Sequence, residues 1–162
     1  MSYVVLSWLV AIPLLGALTG FRTMTPMAVL CWFAYAHDLP LKHSWAFWAA
    51  NLVTAIVFTV LAAGELVGDK LPQTPNRIAP FPLLARIGFG GLVGAIVATG
   101  LQGSAIEGIL LGSMSAIAGA FFGFHMRQHL VKNKGYKDFT VALAEDAIAI
   151  GLSVLAMGIV TR

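Results

Sequence analysis

Apolar runs long enough to cross a bilayer follow one another through almost the whole chain, and that succession leaves room for one kind of fold. A crossing helix needs about 20 mainly apolar residues, so 162 residues are nearly used up by about six helices with short connections. The hydrophobic share is 59% and the charged share 10%, far less charge than a soluble surface carries. The expected fold is all-α, a polytopic transmembrane helix bundle spanning residues 1–162 as one domain.

The runs can be placed in order. Tyr3 to about Gly20 is the first, bent mildly at Pro13, and its flank MSYVVLSWLV lacks the positive start of a signal peptide. It reads as a retained helix. A polar break, Phe21 to Pro26, precedes a short aromatic segment, Pro26 to Asp38, which is either a thin span or a re-entrant one. A helix from about Ser44 to Val67 follows, opened by Trp45 and Trp48 at the headgroup level. Pro72, Pro75, Pro80 and Pro82 then make Gly68 to Pro82 a surface loop. Leu83–Leu101, a tight turn at Gln102–Ser104, Ala105–His129, a basic loop at Val131–Asp138 and Phe139–Val160 complete the chain.

The basic residues give this layout a direction. With six crossings, Arg22, Lys70, Arg77, Arg86, Arg127, Lys132, Lys134 and Lys137 share one side, against Lys42 and Arg162 on the other. The positive-inside rule makes the richer side cytoplasmic, with basic loops at 68–87 and 127–138 and both termini outside. A re-entrant 26–38 segment would instead move the N-terminus inside. The expected location is the cytoplasmic (inner) membrane.

Several functions are set aside by the same arithmetic. The net charge of +3 comes from residues flanking spans, which argues against nucleic acid as a partner. Cys31 is the only cysteine, so an intrachain disulfide and paired-cysteine zinc sites are excluded. His125 and His129 stand one turn apart without an acidic third ligand, and they read as interfacial residues; neither a metal nor a cofactor is expected. The 17 glycines, with Gly90 and Gly94 or Gly108, Gly112, Ala116 and Ala120 at four-residue spacing, read as packing faces. A nucleotide loop at Gly88–Gly94 lacks its strand-to-helix context.

The residues that invite chemistry are the ionisable ones within or beside the spans. A charge at the membrane centre costs roughly 2.5–3.5 kcal/mol on insertion scales, so such groups face inward, pair, or work. Glu65 and Asp69 share a helix face at i, i+4; Glu145 and Asp146 lie two turns into the last helix, pointing to different sides of it. With Arg22 and Arg86 they make a cluster near the cytoplasmic face, beside Thr23 and Thr25, of which Thr25 reads as a helix cap ahead of Pro26. Two echoes, Gly16–Arg22 with Gly119–His125 and Ala63–Glu65 with Leu143–Glu145, fit a duplicated hairpin or chance in a Gly- and Ala-rich chain equally well.

Three functions compete. In the first, an ion or small solute passes the cluster Arg22, Thr23, Thr25, Glu65, Asp69, Arg86, Glu145 and Asp146 in a transporter- or channel-like protein. The second is a structural subunit of a membrane complex, docking through small-residue faces. The third is an enzyme acting on lipid headgroups, ranked last because no nucleophile or metal spacing accompanies the carboxylates. A chain of this size is also expected to form homo-oligomers in the lipid bilayer.

Gly20-Phe21-Arg22-Thr23-Met24-Thr25-Pro26, Gly64-Glu65-Leu66-Val67-Gly68-Asp69-Lys70-Leu71-Pro72, Ala85-Arg86 before a glycine-rich helix, and Leu143-Ala144-Glu145-Asp146-Ala147-Ile148-Ala149-Ile150-Gly151 occur in that order. In these elements the chain resembles the bacterial membrane family known as domain of unknown function 4126. The resemblance implies a small polytopic protein of the cytoplasmic membrane. It implies no particular activity or cofactor.

Overall fold

A computed structural model describes the backbone of residues 2–36, 38–69 and 78–161, with side chains from Trp8 onward. The described residues form helices and connections without a strand: α1 (Ser2–Phe21), α2 (Met24–Tyr35), α3 (Leu52–Gly68), α4 (Pro80–Gly100), α5 (Ala105–Gln128) and α6 (Asp138–Val160). Of these, α4, α5 (with its extension to Asn133) and α6 are long and apolar enough to cross a membrane; Trp8–Phe21, α2 and α3 are shorter apolar helices. The protein is a helical membrane bundle. Lys70 and Arg77, used above to orient the chain, lie outside the described residues, as do His37 and Arg162.

α1 touches α2, α4, α5 and α6, and so stands at the centre. On one side α1, α4 and α5 all pack against one another; on the other, α6 packs on α1 and α2, with α3 behind α2. Lipid tails are as apolar as leucine side chains, so close backbone approach must hold such helices together. Glycine makes that approach here. A Cβ on Gly94 would strike the Gly108 carbonyl oxygen, and one on Gly20 would strike the backbone of α5 at Ala116 and Ala120. The echo segments 16–22 and 119–125 are neighbours in this seam, Gly119 resting on the backbone of Ala17.

The ladder of contacts fixes which way each helix runs. Gly16 meets Gly112 and Gly20 meets Ala116, so α1 and α5 are parallel, whereas Gly90 meets Gly112 and Gly94 meets Gly108, so α4 and α5 are antiparallel. Arg22, Glu65, Arg86 and Glu145 thereby gather at one end of the bundle. Toward the opposite end the interior is apolar, with Ile12, Leu30, Cys31, Ile96, Val97 and Met157 in one buried core.

α2 is a through-going segment. It begins against Glu65 at the charged end, and the chain after it places Leu39 on Gly100, at the far end of α4. Twelve residues of helix reach only about 18 Å at 1.5 Å per residue. Residues 38–51 make up the difference, burying Leu39, Leu41, Ala46 and Ala49 and including a 3₁₀ turn at Phe47–Ala50. Trp45 Nε1 donates to Thr99 Oγ1 at 3.0 Å in the same region.

Three expectations about boundaries change. The third helix starts at Leu52 instead of Ser44, because Asn51 takes an extended conformation and its side chain accepts the Val53 N–H. Pro80 and Pro82 lie in the first turn of α4, where a proline loses no helical hydrogen bond. The basic stretch 68–87 is therefore a loop only in part, with α4 beginning three residues before the expected Leu83 and Arg86 helical as the span Leu83–Leu101 implied. Residues 129–133 likewise continue α5 as a π-helical turn, which shortens the loop placed at 127–138.

Candidate functional site

The charged end is organised around Arg22, which follows the last turn of α1 and is fully buried. One guanidinium nitrogen, Nη1, binds Asp69 just beyond α3. The other, Nη2, stands 2.6 Å from Asp146 Oδ1 and 3.8 Å from Glu145 Oε2, both on α6. A single cation so ties the C-terminal end of α1 to two helices distant in sequence. The α6 carboxylates do not diverge as expected: residues adjacent on a helix are only about 100° apart, and both are buried and reach the same Nη2.

Glu145 has a second cation nearby. Arg127 Nη1, on the last turn of α5, lies 3.7 Å from its Oε2. Arg127 also makes a bidentate pair with Asp138, Nε to Oδ1 at 2.8 Å and Nη2 to Oδ2 at 2.7 Å. The pair closes the α5–α6 hairpin from outside while Arg127 Nη1 faces inward. Reading along the sequence placed Arg127 in the helix Ala105–His129 but missed this contact. The signal was available, since a helical hairpin brings the last turn of α5 opposite the first turns of α6.

Glu65 is occupied differently. Its two carboxylate oxygens accept the backbone N–H groups of Thr23 and Met24, each at 2.8 Å. The first N–H groups of a helix have no partner within the helix, and an anion beside them also meets the positive end of the helix dipole. Glu65 of α3 thus caps α2. Thr25 does not: the capping position is Thr23, which makes no side-chain cap bond, and Thr25 Oγ1 is buried without a hydrogen-bond partner.

Arg86, also buried, donates from Nε to the Gly20 carbonyl oxygen at 3.0 Å and from Nη1 to that of Pro82 at 3.3 Å. It fastens the start of α4 to the end of α1, where the carbonyls of the last turn seek donors.

Further polar groups lead away from the cluster into the bundle. Ser153 lies two turns beyond Asp146 on the buried face of α6 that also carries Ala149, Ala156 and Met157. Thr19, Thr59, Thr99 and Thr161 each donate to the carbonyl four residues back. Ser153 Oγ does not, and it is buried without a partner; Arg22 Nε is in the same state. Arg22 directly follows α1, and Thr25 and Ser153 belong to α2 and α6, which pack on α1 and on each other. Among the described residues no group of three His, Cys, Asp or Glu side chains could hold a metal, and His125 and His129 are exposed.

Fold and site together define a polytopic membrane protein whose helices meet at a buried knot of arginines and carboxylates. The chain belongs to the family described as Domain of unknown function (DUF4126), whose model matches residues 9–159. None of the curated proteins and none of the solved structures matches it.

Proposed function

We propose that the protein moves an ion or small solute across the cytoplasmic membrane, past the cluster of Arg22, Thr23, Thr25, Glu65, Asp69, Arg86, Glu145 and Asp146. The observation that carries this reading is the full burial of Arg22 against carboxylates of two other helical segments. Well-packed apolar side chains often hold helices at least as firmly as a buried ion pair. Ionisable groups inside a membrane typically mark ion pathways and proton relays. The partnerless hydroxyl of Ser153 extends the polar surface beyond the cluster, and the apolar core toward the far end would act as the closed gate. Within the cluster, Glu145 and Asp146 are the groups assigned to the moving species, and Glu65 is assigned to holding α2. The richer basic side, which carries Lys132, Lys134 and Lys137, faces the cytoplasm.

The test is flux in proteoliposomes across a panel of protons, alkali cations, halides and small metabolites. Glu145→Gln and Asp146→Asn should abolish the flux that wild type shows, with both variants eluting as folded protein. Absence of flux for every species, together with normal growth of cells carrying both substitutions, would overturn the proposal.

The reading as an assembly subunit draws on α6. Gly151 and Gly158 have nothing within 4 Å of a built Cβ, unlike the glycines of the α1–α5 and α4–α5 seams. A stoichiometric partner recovered from native membranes would favour that reading.

A further inference from the structure

We infer that the corner between α5 and α6 binds an anionic phospholipid. The corner holds an open-sided cavity of about 350 Å³, lined by Met126, Leu130, Tyr136, Val141, Glu145 and Ile148 among others. Its surface is almost wholly apolar. The size falls within the range of small-molecule sites, and the position, at the end of two membrane helices, is where a glycerol backbone and the first methylenes of an acyl chain lie.

The charge around it selects the headgroup. Lys132, Lys134 and Lys137 are all exposed, and each stands within two residues of a lining residue, Leu130 or Tyr136. Two residues of chain span at most about 7 Å, within reach of a lysine side chain. Basic pockets between membrane helices bind anionic headgroups, and lysines near the surface add to that attraction. Asp138, the acid within this stretch, is engaged by Arg127 and leaves the three ammonium groups facing water.

The backbone is adapted to the same end. The helix leaves α-geometry at His129 and runs as a π turn through Asn133, with Lys134 N–H bonding the His129 carbonyl and Tyr136 N–H that of Leu130. Such turns occur often at functional sites. This one carries Lys132 and sets Leu130 and Tyr136 on the same cavity. Glu145 joins the cavity wall to the arginine cluster, so an occupant sits beside the residue whose carboxylate faces Arg22 and Arg127. The inference stands whether or not the protein transports.

The experiment compares thermal unfolding of the purified full chain in detergent with added phosphatidylglycerol, with phosphatidylcholine of the same acyl chains, and with inorganic phosphate alone. Phosphatidylglycerol should raise the midpoint and the other two should not. Lys132→Gln/Lys134→Gln/Lys137→Gln should weaken the apparent phosphatidylglycerol affinity by on the order of tenfold or more, and Ala144→Phe, which fills the cavity, should remove the effect. If Ala144→Phe fails to fold, the lysine variant on the exposed loop still decides. Equal stabilisation by the two lipids, an equal effect of free phosphate, or full affinity in the lysine variant would each overturn the inference.

Discussion

Glu65 and Met24, 41 residues apart, are joined by a hydrogen bond of 2.8 Å from the Met24 N–H to the Glu65 carboxylate. Since the same side chain also takes the Thr23 N–H, one residue of α3 supplies what the start of α2 lacks. Each charge-assisted bond contributes about 1.5–3 kcal/mol. The two bonds sum to about 3–6 kcal/mol, and partial exposure of Glu65 reduces this, so Glu65→Ala should lower stability by roughly 2–4 kcal/mol and Glu65→Gln, which keeps one acceptor oxygen, by less. Unfolding curves of the variants in one detergent check the ranking. Equal losses would show that charge alone matters.

Removing one member of the Arg22 cluster should cost more than removing several together. Arg22→Met leaves Asp69 and Asp146 without their shared cation, and breaking a buried pair from one side costs about 3–5 kcal/mol. Adding Asp69→Asn and Asp146→Asn to Arg22→Met should recover a measurable part of the loss. Strict additivity of the substitutions would contradict the geometry.

Glycines of opposite environment should respond oppositely. At Gly94 any side chain meets the Gly108 carbonyl, so Gly94→Val should separate α4 from α5 and sharply reduce folded yield. Gly151 has open space, and Gly151→Ala should be neutral or raise stability by up to about 1 kcal/mol, as alanine favours the helix. Expression and melting temperature report both.

The two ends of the bundle can be told apart by labelling. Cys31 is fully buried, which leaves wild type with little background toward a membrane-impermeant thiol reagent. Lys134→Cys at the charged end and Lys42→Cys beside the far-end residue Leu41 should label from opposite sides of intact cells. The proposed orientation requires Lys42→Cys to react from outside. Labelling of both from one side would refute the through-going course of α2.

Much of this arrangement was legible in the residues, and the parts that were not share a cause. Six helices in order, the turn at Gln102–Ser104 and the membership of Arg22 and Asp146 in one cluster follow from apolar length and from the cost of charge in lipid. Helix starts were harder to see. In lipid both faces of a helix are apolar, so periodicity marks no boundary, and a lone Asn51 within an apolar run decided where α3 begins. The roles of Glu65 and Thr25 exchanged for a related reason. A carboxylate supplied from another helix satisfies the start of α2, and local spacing carries no trace of it. Ser153 escaped notice because a helical serine ordinarily returns its proton to its own backbone.

The threefold grip on Arg22 also bears on how the protein is made. Its guanidinium leaves the ribosome with the first helix, while Asp69 follows only with the third and Glu145 and Asp146 only with the last. Until α6 has been made, a positive charge waits in or near the bilayer for partners not yet translated. A polypeptide stopped short of α6 would keep that charge stranded from two of its three carboxylates.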